Sequence, residues 1–351
     1  MGFFSRSEPA EKKAPVNKAN WIKVDKMITQ PPKELAAAPP TYTKEQEAVY
    51  EKVITHFNKE GYKLPEKVQD YTSKAYKTDE SSVTMTPLST WEKFFLTREC
   101  LYRFLRASRF DYETCIQKLE ETIVWRREFG LTYDPDRSAT DLDPNSFEKE
   151  NRTGKQVILG YDKDNRPLVY MKDGKQNTDP SIHQVHHLVY MLECTMVMTP
   201  IGMEKVGVMV DFKHYPEIPG VLKKKKMTPI STARDCLHIA QTYYPERLGK
   251  AVFINIPWLG WTFLKLLHPF IDPDTKSKLV YDEPFEKYID DTQLDKDYGG
   301  DLDFTYDHSV YWPDMLEKIG NRRKRQYDRF MELGGKIGTS EYELKKVNKL
   351  E

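Results

Sequence analysis

The 351-residue sequence lacks several features by which common protein classes are identified. Its four cysteines are far apart and form no CxxC pair, so neither a disulfide framework nor a cysteine zinc site is indicated. It has 54 basic and 54 acidic residues, so nucleic-acid binding through bulk charge is not indicated. The longest apolar stretch, Phe253 to Leu267, is interrupted by polar residues and a proline and is too short to span a bilayer. We therefore expect a cytosolic protein that meets membranes only at their surface.

The motifs of several large enzyme classes are missing as well. The sequence contains no GxSxG, HExxH, Walker loop or GxGxxG. Since those residues build the catalytic geometry of the corresponding hydrolases and nucleotide enzymes, we predict no catalytic residue, no cofactor and no metal.

Three histidines keep one alternative open. His183, His186 and His187 lie in a predicted helix, where His183 and His187 are one turn apart and would suit a shared divalent ion or a haem. No carboxylate or thiolate lies at ligand spacing beside them, so a hydrogen-bonded helix face is the preferred interpretation.

What is present divides the chain into four regions. Residues 1–42 are rich in proline, lysine and alanine and predict an extended arm. Residues 43–130 predict a helical module, because capping boxes at Thr43 and Ser89 begin helices and Gly130 ends the last one, with a polar linker over 63–87. Residues 145–307 predict the main domain, and residues 308–351 predict a charged helical extension.

From Lys155 the spacing of apolar residues changes from that of helices to that of strands. Val157–Tyr161 and Leu168–Met171 flank a turn at Asp162 to Asn165 and predict a β-hairpin. Apolar strands then alternate with helices, which is typical of βαβ units in a covered sheet, so the fold class is α/β with about five strands. The further predicted elements are helices at 181–198 and 230–243 and strands at 206–212, 251–256 and 279–281.

The segment from Pro257 to Pro273 is apolar on nearly every side of any helix that it forms. Such a helix is either buried or in contact with lipid. Composition alone favours a core helix, but Asp272 to Thr275 and Lys278 follow directly and place a polar end beside an apolar wall. A lipid pocket needs this combination, because acyl chains occupy one end and a headgroup the other.

A run of four lysines, Lys223, Lys224, Lys225 and Lys226, lies in a predicted loop. It is either a solvated linker or a membrane-docking patch, in which each cation near an anionic leaflet contributes roughly 1 kcal/mol. Both interpretations remain open.

Five segments, in order over roughly residues 90 to 305, resemble the CRAL-TRIO lipid-binding family, specifically its fungal phosphatidylinositol transfer proteins. They are LYRFLRASRFD (101–111), DNRPLVY (164–170), YYPERLGKAVFINIPW (243–258), HPFIDPDTKSK (268–278) and YGG (298–300). The resemblance to the family's N-terminal module begins at about residue 88. GKQVILG, GDLDF and VYWPDM further resemble the subgroup linked to azole and pleiotropic drug resistance.

The resemblance implies a pocket floored by a five-stranded mixed sheet and closed by a mobile gate helix, here residues 258 to about 275. The implied gate residues are Trp258, Trp261, Phe263, Leu264, Leu267 and Phe270. The residues implied to bind the lipid headgroup are Arg109, Glu246, Thr275 and Lys278. Cationic and hydroxyl donors suit a phosphodiester, and a carboxylate accepts hydrogen bonds from inositol hydroxyls. A structural salt bridge to Arg247 or to another neighbour is the alternative role for Glu246.

Two departures from the family pattern change the expected ligands. Ser108 replaces an arginine of well-known members, which removes one expected phosphate contact. Four apolar residues occupy the positions at which relatives bind choline lipid: Leu159, Val169, Val206 and Val208. Because a choline headgroup would lose its hydrogen bonds there, we expect phosphatidylcholine to be rejected and a sterol-like lipid to be the second ligand.

The resemblance thus implies a carrier, not an enzyme, that exchanges phosphatidylinositol or a sterol-like lipid at membranes and supports lipid homeostasis and azole tolerance. The alternative is a lipid sensor that presents its ligand to a lipid kinase or regulates a phosphatidylserine decarboxylase pathway. We expect a cytoplasmic monomer that visits membranes of the endoplasmic reticulum, endosome, Golgi, lipid droplet or cell cortex, with lipid-metabolic enzymes as candidate partners.

Overall fold

A computed structural model describes residues 21–33, 38–67, 84–137, 141–216 and 225–350. The strands in these residues are β1 (Ile22–Val24), β2 (Leu64–Pro65), β3 (Met85–Thr86), β4 (Gln156–Tyr161), β5 (Pro167–Lys172), β6 (Val206–Asp211), β7 (Leu248–Ile254), β8 (Leu279–Tyr281) and β9 (Leu302–Phe304). The helices are α1 (Lys44–Phe57), α2 (Thr90–Phe95), α3 (Arg98–Ala107), α4 (Tyr112–Phe129), α5 (Ile182–Val197), α6 (Ile230–Tyr243), α7 (Trp258–Leu267), α8 (Pro273–Ser277), α9 (His308–Glu332) and α10 (Glu341–Leu344).

The chain forms two compact units. The sheet unit comprises Met1–Leu35, Pro144–His238 and Arg247–Gly320. The helical unit comprises Ala36–Asp143, Ile239–Glu246 and Asn321–Glu351.

A five-stranded mixed sheet organises the sheet unit, with strand order β4-β5-β6-β7-β8. β4 and β5 are the predicted antiparallel hairpin, and the other neighbouring pairs are parallel. The hairpin turn forms because Asp162 accepts backbone hydrogen bonds from Asp164 and Arg166 at 3.0 and 2.9 Å, while Asn165 takes the left-handed conformation (φ 64°) that asparagine tolerates. The predicted α/β class and five-stranded sheet are confirmed.

The two faces of this sheet differ in how completely they are covered. On one face Leu168, Met209 and Val252 have no exposed surface. On the other face Val169, Val206, Val210 and Ala251 are buried, but five apolar side chains are only partly covered: Met171, Val208, Phe253, Leu279 and Tyr281. The second face is therefore an apolar floor without a complete lining of protein, and we call it the open face.

Part of the predicted N-terminal arm belongs to a second sheet of this unit. β1 pairs in parallel with β9, with Ile22 opposite Leu302 and Val24 opposite Phe304. The backbone N–H of Met27 also donates to Asp314 at 3.2 Å. The sequence did not indicate this strand, because its pairing partner lies 280 residues away along the chain, as Ile22 and Leu302 show.

The helical unit has a core of its own, built by α1, α3 and α4. Both predicted capping boxes are present: Gln46 N–H donates to Thr43 at 3.3 Å, and Glu92 N–H donates to Ser89 at 3.2 Å. α4 ends at Gly130, which adopts φ 79° as predicted from its position. Of the predicted polar linker at 63–87, the ends form the short pair β2 and β3, and 68–83 lie outside the described residues.

Candidate functional site

The apolar segment predicted as a gate forms α7 and the turn that follows it in the sheet unit. The Trp261 ring lies 5.4 Å from the ring of Tyr281, which in turn stacks on Phe253 at 5.2 Å. Both Tyr281 and Phe253 belong to the open face. α7 therefore lies beside the apolar residues of the open face.

The other gate residues are divided between contact with protein and exposure. Leu267 is buried, and Phe263 and Leu264 are half-buried. Trp258 is 79% exposed, Leu266 is 55% exposed, and Phe270 is 42% exposed beneath the Arg234 guanidinium at 4.2 Å. α7 is thus apolar on its outward side as well, and an outward apolar side is unfavourable in water and favourable in a membrane interface.

The sheet register brings three of the four predicted wall residues together. Val169 lies opposite Val208, and Val206 is two positions before Val208 on the same strand, so all three side chains share one face. Val208 is half-buried, whereas Val169 and Val206 are buried. Leu159 is not placed with the other three by the register. It is the residue after Ile158, which pairs with Val169, and it lies in the register shift between Ile158 and Tyr161.

Thr275 and Lys278 lie where α8 leads into β8 of the sheet unit. Asp272 caps α8 by accepting hydrogen bonds from Thr275 N–H at 2.9 Å and from Thr275 Oγ1 at 2.6 Å. Burial raises the pKa of Asp272, but the hydrogen bonds from Thr275 outweigh it and leave that pKa below its usual value. Lys278 donates to the exposed carboxylate of Asp274 one turn earlier. Ligand contact would require both side chains to exchange these partners.

Glu246 lies between α6 and β7, in the helical unit. Arg106 Nε on α3 donates to Glu246 Oε2 at 2.6 Å, and Arg106 Nη1 donates to the Tyr42 hydroxyl at 2.8 Å. Glu246 has φ 58°, an unusual value for a residue that is not glycine. Arg247, the neighbour considered in the sequence as its partner, instead donates to the Glu204 carbonyl oxygen.

Arg109 follows α3 in the same helical unit and also has a left-handed backbone, with φ 54°. Its N–H donates to the Arg106 carbonyl oxygen at 2.9 Å, and its side chain is exposed. The neighbouring Ser108 is buried, and its hydroxyl has no hydrogen-bond partner among the described residues. Arg106 was missed by the sequence analysis, although its place in the LYRFLRASRFD segment was a signal that could have found it.

The lysine run is only partly described. Lys225 forms an ion pair with Asp173, and Lys226 forms one with Asp179. Lys223 and Lys224 lie outside the described residues.

The three histidines of α5 are packed among aromatic rings. His187 has no exposed surface and lies near Phe147 and Trp312, at ring distances of 6.3 Å from each. Burial, then the positive charges of Lys155 and His308, hold the pKa of His187 well below its ordinary value. Burial and His183 lower the pKa of His186 to about 4. In the part of the chain that the structure describes, no three histidine, cysteine or acidic side chains are placed to hold a metal ion.

None of the helices described here combines the length and the apolar character that crossing a membrane requires.

Comparison with known protein families matches two regions of the chain. Residues 151–300 match the CRAL/TRIO domain, and residues 49–121 match the CRAL/TRIO N-terminal domain.

One relative matches the chain over nearly its whole length. The chain is 47% identical over 350 residues to the phosphatidylinositol transfer protein PDR17 of Saccharomyces cerevisiae, covering 98% of this chain and 96% of that protein. It is 40% identical over 309 residues to a CRAL-TRIO domain-containing protein of Schizosaccharomyces pombe, covering 87% of this chain but 28% of that longer protein. The crystal structure of Sfh5 is similar over 89% of this chain and 99% of its own, with 16% identity and a TM-score of 0.47.

Proposed function

Because the chain belongs to the CRAL/TRIO family, we propose that it is a carrier of membrane lipid, and specifically a phosphatidylinositol transfer protein. The relative PDR17, which carries that name, matches this chain from end to end at 47% identity. No residue is assigned a catalytic role, and the lipid leaves the protein as it entered.

The observation that carries this function is the open face beside α7. Phe253, Leu279 and Tyr281 are apolar side chains of a central sheet, yet they are only partly covered by protein. Removing apolar surface from water stabilises by about 25 cal/mol per Å². Acyl chains laid against this face would supply that stabilisation, and α7 would cover them.

The headgroup would be bound by the four residues that the family resemblance indicates. In the sheet unit, the Lys278 ammonium and the Thr275 hydroxyl would donate to the phosphodiester after release from Asp274 and Asp272. In the helical unit, the exposed Arg109 guanidinium is a further donor, and Glu246 would accept from inositol hydroxyls while Arg106 orients it.

A sterol-like lipid is the proposed second ligand. Val208 is a half-buried apolar side chain of the open face, and its neighbours on that face, the buried Val169 and Val206, also carry no hydroxyl. A sterol has one hydroxyl and a rigid apolar body, so it needs a single polar partner, whereas a choline headgroup needs several.

The function is tested by transfer of labelled phosphatidylinositol from donor to acceptor vesicles. The wild-type protein is expected to transfer it, and Glu246→Ala combined with Lys278→Ala is expected to abolish transfer while circular dichroism stays unchanged. Lys287→Ala is the control, because Lys287 is 60% exposed and pairs with Glu283 on the surface. Failure of the wild-type protein to transfer the lipid would overturn the function. Normal transfer by the folded double variant would overturn only the headgroup assignment.

A further inference from the structure

Three lysines meet at one edge of the five-stranded sheet, away from the residues already discussed. Lys172 is the last residue of β5, Lys175 ends the short turn after it, and Lys213 follows β6. β5 and β6 are parallel neighbours, so the segments that follow them emerge at the same edge. Lys278 precedes the parallel strand β8 and is therefore at the opposite edge. We call Lys172, Lys175 and Lys213 the edge lysines.

Lys172 is buried without an ion pair among the described residues. It is only 6% exposed, yet among the described residues its ammonium makes no hydrogen bond and no ion pair. The rings of Tyr298 at 5.9 Å and Phe304 at 5.8 Å lie beside its ammonium, and its charge also attracts the buried Asp295 carboxylate without an ion-pair contact. Cation–π attraction extends to about 6 Å, so both contacts lie at its outer limit. A buried charge with so little compensation is costly.

Lys175 and Lys213 add two further positive charges without a contacting anion in the described residues. Their ammonium groups lie over the same ring, that of Tyr215, at 5.1 and 5.6 Å. Burial, and then the charge of Lys172, lower the pKa of Lys175 to about 8. The edge lysines therefore repel one another across a partly desolvated space.

Carboxylates lie nearby, but none of them forms an ion pair with the edge lysines in the described residues. Asp211 is the register partner of Lys172, but its carboxylate accepts from Asn255 at 2.7 Å, from the Tyr298 hydroxyl at 2.9 Å and from Lys213 N–H at 2.8 Å. Asp173 is paired with Lys225. Asp295 and Asp297 attract Lys175 without an ion-pair contact, and burial raises the pKa of Asp295 although the charge of Lys172 lowers it.

The backbone holds the lysines together. A Cβ on Gly174 would lie 2.0 Å from the Lys213 carbonyl oxygen, so glycine is required for the close approach of the turn after β5 to the segment after β6. The Tyr170 hydroxyl, on the same side of β5 as Lys172, is buried and has no hydrogen-bond partner among the described residues. Donors without acceptors thus accumulate at this edge.

We propose that the edge lysines form a second, anion-binding site that takes a phosphate group. Lysine binds phosphate as a point charge, and several ammonium groups around one space suit a tetrahedral oxyanion of charge near −2. The phosphate is carried either by a small soluble molecule or by a phosphorylated lipid headgroup. This site is separate from the lipid site proposed above, because Lys278 lies at the other edge of the sheet.

Two probes distinguish the two sources of the phosphate group. Binding of inorganic phosphate is measured by calorimetry. Binding of vesicles that contain phosphatidylinositol 4-phosphate is measured by sedimentation. Ionic strength is held constant with chloride. Lys172→Met and Lys175→Met keep the apolar stem of the side chain. Each is expected to weaken at least tenfold the binding of the probe that binds the wild-type protein. Lys287→Met, on the surface, and Lys278→Gln, in the proposed headgroup site, are expected to change phosphate affinity less than twofold.

The affinity of the wild-type protein for phosphate should also fall as pH rises through about 8, where Lys175 loses its proton. Lys175→Met should remove this dependence. If the protein binds only inorganic phosphate, the ligand is a soluble molecule. If it binds only the vesicles, and Lys172→Met abolishes this binding, the ligand is a lipid. Absence of binding to both probes, or affinities unchanged in both methionine variants, would overturn the proposal even if phosphatidylinositol transfer is normal.

Discussion

Arg106 Nε donates to Glu246 Oε2 over 2.6 Å, and both side chains are about a quarter exposed. This pair satisfies the structural role considered for Glu246, but with a partner on α3 and not with the adjacent Arg247. Partly exposed ion pairs contribute at most about 1 kcal/mol to stability. Glu246 has an unusual left-handed backbone, although its ion pair with Arg106 adds so little stability. We infer that the position of its carboxylate matters for binding.

Glu246→Gln should therefore lower phosphatidylinositol transfer several-fold and lower the free energy of unfolding by no more than about 1 kcal/mol. Arg106→Gln is the matched variant, since it breaks the same pair but keeps the carboxylate. Transfer rates and urea unfolding of both proteins would be measured. We expect a larger loss of transfer in Glu246→Gln than in Arg106→Gln. If Glu246 has a purely structural role, the two variants should instead lose transfer activity equally and only slightly.

Two tryptophans of α7 separate membrane contact from lipid retention. Trp258 is 79% exposed, so Trp258→Ala should leave stability unchanged and weaken binding to vesicles. Trp261 packs on Tyr281 over the open face, so Trp261→Ala should cost about 2 kcal/mol and speed loss of bound lipid. Vesicle sedimentation and release of a fluorescent lipid measure the two effects. The same behaviour in both variants would contradict this division.

Phosphatidylcholine should be nearly absent from lipid extracted after equilibration with mixed vesicles. A buried polar group without a partner costs roughly 1–3 kcal/mol, which corresponds to about tenfold to hundredfold discrimination. Val208→Thr adds a hydroxyl to the open face and should raise the recovered phosphatidylcholine. Val252→Thr is the control, because Val252 is buried on the opposite face of the sheet, and it should only destabilise the protein. Comparable amounts of phosphatidylcholine and phosphatidylinositol in the wild-type protein would refute the rejection of phosphatidylcholine. Failure to load a sterol would refute only the proposal that a sterol-like lipid is the second ligand.

Replacement of Lys223 to Lys226 by glutamine should slow transfer from anionic vesicles and reduce its dependence on salt. Lys225 and Lys226 are paired with Asp173 and Asp179, so replacing only these two should have the smaller effect. Transfer would be followed at low and high salt with matched neutral vesicles as control. A transfer rate unchanged at low salt would identify the run as a solvated linker.

Acid should destabilise the protein through α5. Burial lowers the pKa of His187 strongly and that of His186 to about 4, below the ordinary value of about 6.5. The unfolded chain therefore takes up protons that the folded protein cannot, and stability falls as pH decreases from 6.5 toward 4.

His187→Leu should reduce that slope, whereas His268→Gln, at an exposed position, should not. Urea unfolding at pH 7.5, 6 and 5 gives the comparison. An identical pH dependence in His187→Leu and the wild-type protein would rule out His187 as a contributor.

The sequence by itself determined the local elements and the family. The capping boxes at Thr43 and Ser89, the turn at Asp162 to Asn165 and the apolar strands follow from interactions within a few residues, so they could be predicted. Only the tertiary structure decided which distant side chains meet. The pairing of β1 with β9, the contact of Arg106 with Glu246 and the convergence of Lys172, Lys175 and Lys213 depend on the return of the chain after long separations. No local spacing encodes such contacts, because they form only when the register of the sheet and the packing of the helices are complete.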